Sequence, residues 1–262
     1  MTEENYEYLK NQVKFTGFGD VLSDVLKVEM QKGEPTFTLE HIPKFDNAEL
    51  KATLHFRKSE ETGMVFFNKF ELEVKERLGQ MKQTFFVGKN NNYTLKEAYN
   101  LMCGRSVRKE FVKNNKDENA EVHQAEPEKF KAWMSMDFTK QDKYGNYELH
   151  PYGENYGFDL EGVLSKHKIV EYANPDLRDS LIQSLEKGNR QAITLVLDGV
   201  EQRAFVQANP QFKAVKLFDE KGVEIRQNFS QNKKKEQMRS KTEKVENSQK
   251  SKRKTGKSQK AG

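Results

Sequence analysis

Asn174-Pro175-Asp176-Leu177-Arg178-Asp179-Ser180-Leu181-Ile182-Gln183-Ser184-Leu185-Glu186-Lys187-Gly188 is the stretch whose reading organises the whole chain. Asn174 is a helix N-cap, and Pro175 suits the first helical position, where its missing N–H is no loss. Leu177, Leu181, Ile182 and Leu185 share one face at helical spacing. Gly188 stands where a helix ends in the left-handed conformation. Beyond it, Ile193-Thr194-Leu195-Val196-Leu197 reads as a strand and Asp198-Gly199 as a two-residue hairpin turn. The return strand holds Arg203-Ala204-Phe205-Val206. A further strand is expected over 212–218, then a turn at Glu220-Lys221-Gly222 and a short strand at 223–225.

The same plan is legible twice upstream. Asp20 is a plausible N-cap for a helix carrying Val21, Leu22, Val25 and Leu26, which stops at Lys32-Gly33. Strands follow over 36–39, 51–56, 66–74 and 84–87. In the second of these, Ala52, Leu54 and Phe56 point one way and Thr53 and His55 the other. Thr94-Leu95-Lys96-Glu97 is a capping box opening a second helix, with Leu95, Ala98, Tyr99 and Met102 on its apolar face and Gly104 at its end. Its strands are 107–112, 131–138 and 147–149, with Ala132, Met134, Met136 and Phe138 sharing a face.

Gly33, Gly104 and Gly188 align these units, as do Lys51-Ala52, Lys131-Ala132 and Arg203-Ala204. The glycines are 71 and 84 residues apart, so any repeat is degenerate and carries insertions. Three unrelated helix-plus-hairpin segments are the alternative. The expected class is α+β: three degenerate helix-plus-antiparallel-β-meander units over 1–92, 93–157 and 158–230. A disordered basic tail over 231–262 completes the chain. An extra helix is expected near 159–166. The polar stretch 113–129 has almost no apolar residue and reads as a long mobile loop.

Charge is distributed unevenly. The chain has 45 Lys and Arg against 40 Asp and Glu, of which 12 and 3 lie in 231–262. That segment is therefore net +9, and the preceding 230 residues, with 33 basic and 37 acidic side chains, are net −4. The tail has no aromatic and three apolar residues, too few to offset the entropy of ordering it. It is either a solubilising terminus or an electrostatic arm for a polyanion. In the second case Lys233, Lys234, Lys235, Arg239, Lys252, Arg253, Lys254 and Lys257 are the nucleic-acid contacts.

The lone cysteine, Cys103, lies beside Leu101 and Met102 and reads as a small buried hydrophobe. No stretch of 18 apolar residues and no apolar leader follow the polar start, so a cytoplasmic protein with no membrane span is expected. The five histidines are far apart in sequence, and no metal, cofactor or catalytic residue set is predicted. Gly17-Phe18-Gly19 begins like a dinucleotide-binding turn, but Leu22 replaces the third glycine. Gly256-Lys257-Ser258 ends like a phosphate-binding loop, but Ser251 stands where its first glycine belongs. On the second strands, Trp133 and Phe205 lie opposite the apolar face among polar neighbours. They are candidate anchors for a protein partner, or they pack beneath a neighbouring unit.

Several phrases occur together in one order: Leu101-Met102-Cys103-Gly104-Arg105-Ser106-Val107, Lys131-Ala132-Trp133, Asn155-Tyr156-Gly157-Phe158-Asp159-Leu160-Glu161, Ser184-Leu185-Glu186-Lys187-Gly188-Asn189-Arg190-Gln191 and Ala208-Asn209-Pro210-Gln211-Phe212-Lys213. In these the chain resembles, over roughly 13–223, an uncharacterised protein family carried largely on conjugative mobile elements of Bacteroides-type bacteria. The family carries no established activity, so the resemblance implies a setting and no residue role. The expectation is a non-enzymatic accessory protein of a mobile element. Its body docks a protein partner, and its tail contacts nucleic acid without sequence preference. An interaction module with a merely solubilising tail is the alternative, and an unrecognised hydrolase or nuclease a third class.

Overall fold

The computed structural model describes residues 2–45, 48–76, 79–113 and 128–225. The tail 231–262 and most of the polar stretch 113–129 lie outside them. The chain opens with a helix, α1 (Glu3–Val13), that the polar start did not suggest. Thr2 caps it by accepting from the Asn5 amide, and Tyr6, Leu9 and Val13 form its buried stripe. Asn5, itself buried, donates from Nδ2 to the Val65 carbonyl at 2.9 Å and accepts from the Val65 amide at 2.8 Å. One side chain thus satisfies both polar groups of a strand residue and fixes the helix to the sheet.

A π-helical turn, Lys14–Phe18, follows α1. Gly17 in it has φ +101°, a conformation L side chains rarely adopt. The turn points Phe18 inward, edge-on to Phe70 at 5.4 Å, and Phe15 outward. The next helix, α2 (Ser23–Lys32), starts two residues later than Asp20 would have it. Leu22 is its N-cap position, and Gly33 ends it at φ +73°. Leu22, Leu26 and Met30 are buried, whereas Val21 and Val25 face outward.

The first sheet is an antiparallel meander of β1 (Thr36–His41), β2 (Glu49–Lys58), β3 (Val65–Glu76) and β4 (Gly79–Phe86). Leu50, Ala52, Leu54 and Phe56 of β2 are buried, as strict alternation requires. A register shift between His55 and Phe56 adjusts the pairing with β3. After α3 (Leu95–Met102), whose capping box is complete, comes a second meander of β5 (Val107–Val112), β6 (Lys129–Gln141) and β7 (Tyr147–Gly153). One continuous apolar core runs through both sheets, from Tyr6 to Met136.

Three helices precede the third meander: α4 (Leu160–Leu164), α5 (Val170–Ala173) and α6 (Pro175–Glu186). Asn174 caps α6 as expected, accepting from the Asp176 amide. The sheet is β8 (Gln191–Leu197), β9 (Val200–Asn209) and β10 (Ala214–Phe218), with β9 in the middle. The last strand starts at Ala214 because Pro210–Phe212 forms a helical turn. Residues 223–225, expected as a strand, make none. The class is mixed helix and antiparallel sheet. Ala52, Ala132 and Ala204 all lie in middle strands and are buried. The first sheet has four strands and the others three. The described residues up to Val223 belong to one compact unit.

The middle sheet is covered on both sides. Ala132 and Met136 of β6 enter the shared core. Trp133, on the opposite face, is only 4% exposed and meets Phe158 edge-on at 5.3 Å. The end of α6 reaches the same sheet through Glu186, which accepts from Arg108. Trp133 is therefore an interior side chain and not an exposed anchor. Phe138 is exposed, contrary to its expected core position. The β6–β7 pairing slips between Asp137 and Gln141, and β6 there departs from the core.

Candidate functional site

The outer face of the first sheet carries charge. Glu71 of β3 sits among Lys82 at 2.6 Å, Lys69 at 2.9 Å and His55 at 3.5 Å. Burial opposes ionisation of Glu71, but hydrogen bonds from Lys82 and Lys69 prevail and hold its carboxyl down at about 2. It is an anion throughout neutral pH and has no proton to exchange there. Burial lowers His55 below its ordinary value, against the pull of Glu71. Glu71 thus joins Lys69 of its own strand, Lys82 of β4 and His55 of β2 in one network.

A cleft of about 680 Å³ adjoins this network, with Phe86 of β4 and Tyr144 and Tyr147 of the β6–β7 turn on its walls. Its floor is a joint between sheets. Gln83 donates to the Tyr147 carbonyl and accepts from the Tyr147 amide, and Asn146 accepts from the Thr84 amide. These bonds occupy the Thr84 amide of the edge strand β4 and both backbone polar groups of Tyr147 on β7.

Acid should weaken the fold here in two stages. His41 and His55 both lie below their ordinary values through burial. The unfolded chain then takes up their protons first, so their contribution is complete above about pH 6.5 and fades below it. The Glu71 contribution is complete above its unfolded value of 4.5 and is lost as pH falls towards 2. We expect the thermal midpoint to be level near neutrality, to decline below about pH 6.5 and to steepen below about pH 4.5. Glu71→Gln should remove on the order of 1–2 kcal/mol of the steeper limb. A limb unchanged in that variant would show that the network contributes nothing.

A second surface lies where α1 and its π turn pass the ends of β3 and β4. A groove of about 750 Å³ runs there, lined by Tyr8, Asn11, Gln12, Phe15, Phe66 and Asn68, with Lys89 at its rim. Tyr8, Phe15 and Phe66 are 57%, 75% and 42% exposed. Residues 8, 11, 12 and 15 are i, i+3, i+4 and i+7, the face of α1 opposite Tyr6, Leu9 and Val13. The amides of Asn11, Gln12 and Asn68 have no side-chain hydrogen bond among the described residues. No carboxylate lines the groove, and Lys89 is the one cation among its lining residues.

Of the residues singled out from sequence, Lys233, Lys234, Lys235, Arg239, Lys252, Arg253, Lys254 and Lys257 lie outside the described residues. Trp133 is interior. Phe205 is half-buried on β9, with the Arg203 guanidinium 5.9 Å from its ring centre. The structure does not bring Phe205 to the α1 groove, whose lining includes neither it nor Trp133. The groove aromatics were missed, although the heptad spacing of Tyr8 and Phe15 signals a second helical face. Among the described residues no group of three or more His, Cys, Asp or Glu is placed to hold a metal, and no helix is long and apolar enough to cross a membrane. No family model matches the chain, and neither does any curated protein or any solved structure.

Proposed function

We propose that this chain is a non-enzymatic, cytoplasmic accessory protein of a mobile genetic element, built of three degenerate copies of one helix-plus-meander unit. Its body docks a protein partner and its tail contacts nucleic acid without sequence preference. The mobile-element setting comes from the resemblance in the phrases quoted above. The observation that carries the reading is a division of labour between surfaces. The body carries exposed aromatics, and three of them, Tyr8, Phe15 and Phe66, share a groove lined by no carboxylate and one lysine. The excess cations lie in 231–262, which has no aromatic to stack on a base.

The tail should bind phosphates, with an affinity that collapses as salt competes. Neutralising its eight named cations to Gln in the full chain is expected to abolish binding to duplex and single-stranded DNA alike. For the unaltered chain, affinity should fall by roughly 10³-fold or more between about 50 and 200 mM salt. Fluorescence anisotropy across a salt series measures both. Binding that survives neutralisation would place the site on the body. If the unaltered chain does not bind even at low salt, the tail only solubilises. For the body, cross-linked capture from cells carrying the native element should yield a protein whose recovery does not need those eight cations.

A further inference from the structure

We propose that the α1 groove takes an extended, uncharged, proline-containing segment of a protein partner; this rests on the reading of the body as a docking module. Three observations converge on that occupant. The first is aromatic. Tyr8 and Phe15 project from one helix face, and Phe66 lines the same groove from β3. Spaced aromatic ridges accept proline rings and small apolar side chains, and an extended proline-rich chain is already ordered before it binds. The second is polar. Such a chain has no internal hydrogen bonds, so its carbonyls face outward. Asn11, Gln12 and Asn68, lining the same groove, offer amide donors.

The third observation is charge. A polyanion needs several free cations along its track. Among the residues lining this groove, Lys89 is the one cation, and none is a carboxylate. In the adjoining hollow beyond Phe66, Arg57 and Lys58 stand beside Glu60 and Glu61. The surface is close to neutral, which suits a neutral ligand. The π turn adds a reason for the placement of Phe15. Gly17, at φ +101°, lets one short turn bury Phe18 and present Phe15.

The test selects ligands from a displayed library of random dodecapeptides on the full chain, then measures the winners by anisotropy alongside a twenty-nucleotide oligo(dT). Winners should share proline. They should lose tenfold or more in affinity on Phe15→Ala and on Phe66→Ala. They should be unaffected by Phe86→Ala, an equally exposed phenylalanine that does not line the groove. All three side chains are at the surface, so thermal unfolding should show intact folds. Winners without proline, no winners, or winners indifferent to Phe15 and Phe66 would each overturn the proposal. So would oligo(dT) binding that falls with Phe15→Ala, or a monomer–dimer equilibrium abolished by it. If the peptides fail while a partner still cross-links to the body, docking stands and only this occupant falls. If neither is found, both fall.

Discussion

Trp133→Ala is expected to lower folding stability by about 3–5 kcal/mol, the range for deleting a large buried aromatic. Trp133 is 4% exposed and fills the space between β6 and the segment carrying Phe158. Its neighbour Ala132 enters the core on the opposite face, so β6 has no solvent side at this point. Removing the indole leaves a cavity that both layers border, and close-packed layers relax only in part. Trp133→Phe should retain most of the stability. Trp133 is the only tryptophan in the chain, so the variants are best followed by far-ultraviolet circular dichroism in denaturant. A loss below about 1 kcal/mol would mean the indole is not part of a packed interior.

Gly188→Ala should lose about 2–5 kcal/mol, whereas Gly33→Ala should lose about 1–2. Both glycines follow a helix in the left-handed conformation, at φ +79° and +73°. A methyl at Gly33 meets nothing within 4 Å and strains only the backbone. A methyl at Gly188 would lie 2.9 Å from the Ser106 carbonyl oxygen and 2.9 Å from the Val107 side chain. Relief requires the end of α6 to move off β5. That movement would break the bonds from buried Asn100 to the Lys187 carbonyl, 2.7 Å, and to Asn189, 3.0 Å. A buried amide left without partners adds to the loss. Denaturant midpoints of the two variants, measured side by side, check the ranking. Equal losses would show that the close approach at Gly188 contributes nothing beyond the backbone conformation.

That pair of glycines separates what is local in this protein from what is not. The sequence alone marks Gly33, Gly104 and Gly188 as helix ends, because a left-handed residue after an apolar helical stripe is a local requirement. The Thr94 capping box, the Asn174 cap, the Asp198-Gly199 turn and the alternation of β2 are legible for the same reason. Each is decided by bonds and side-chain directions within a few residues.

The α1 helix escaped such a reading because its stripe of Tyr6, Leu9 and Val13 is diluted by charge, and its hold on β3 comes from Asn5, sixty positions from Val65. Its other face, with Tyr8 and Phe15, becomes a groove only when Phe66 and Asn68 arrive from β3. Trp133 was placed on an outer face because period-two alternation assigns faces but cannot say which are covered. Burial on both sides of β6 depends on the segment around Phe158 folding back onto it. Of the three helix-ending glycines, only Gly188 lies so close to a neighbour that a methyl would not fit; at Gly104 it would touch Phe138 at an ordinary 3.7 Å. Sequence thus determined most of the elements and the charge of each segment, through short-range geometry and composition, but not α1. Tertiary structure alone decided which faces meet, since that is set by packing between residues distant in the chain.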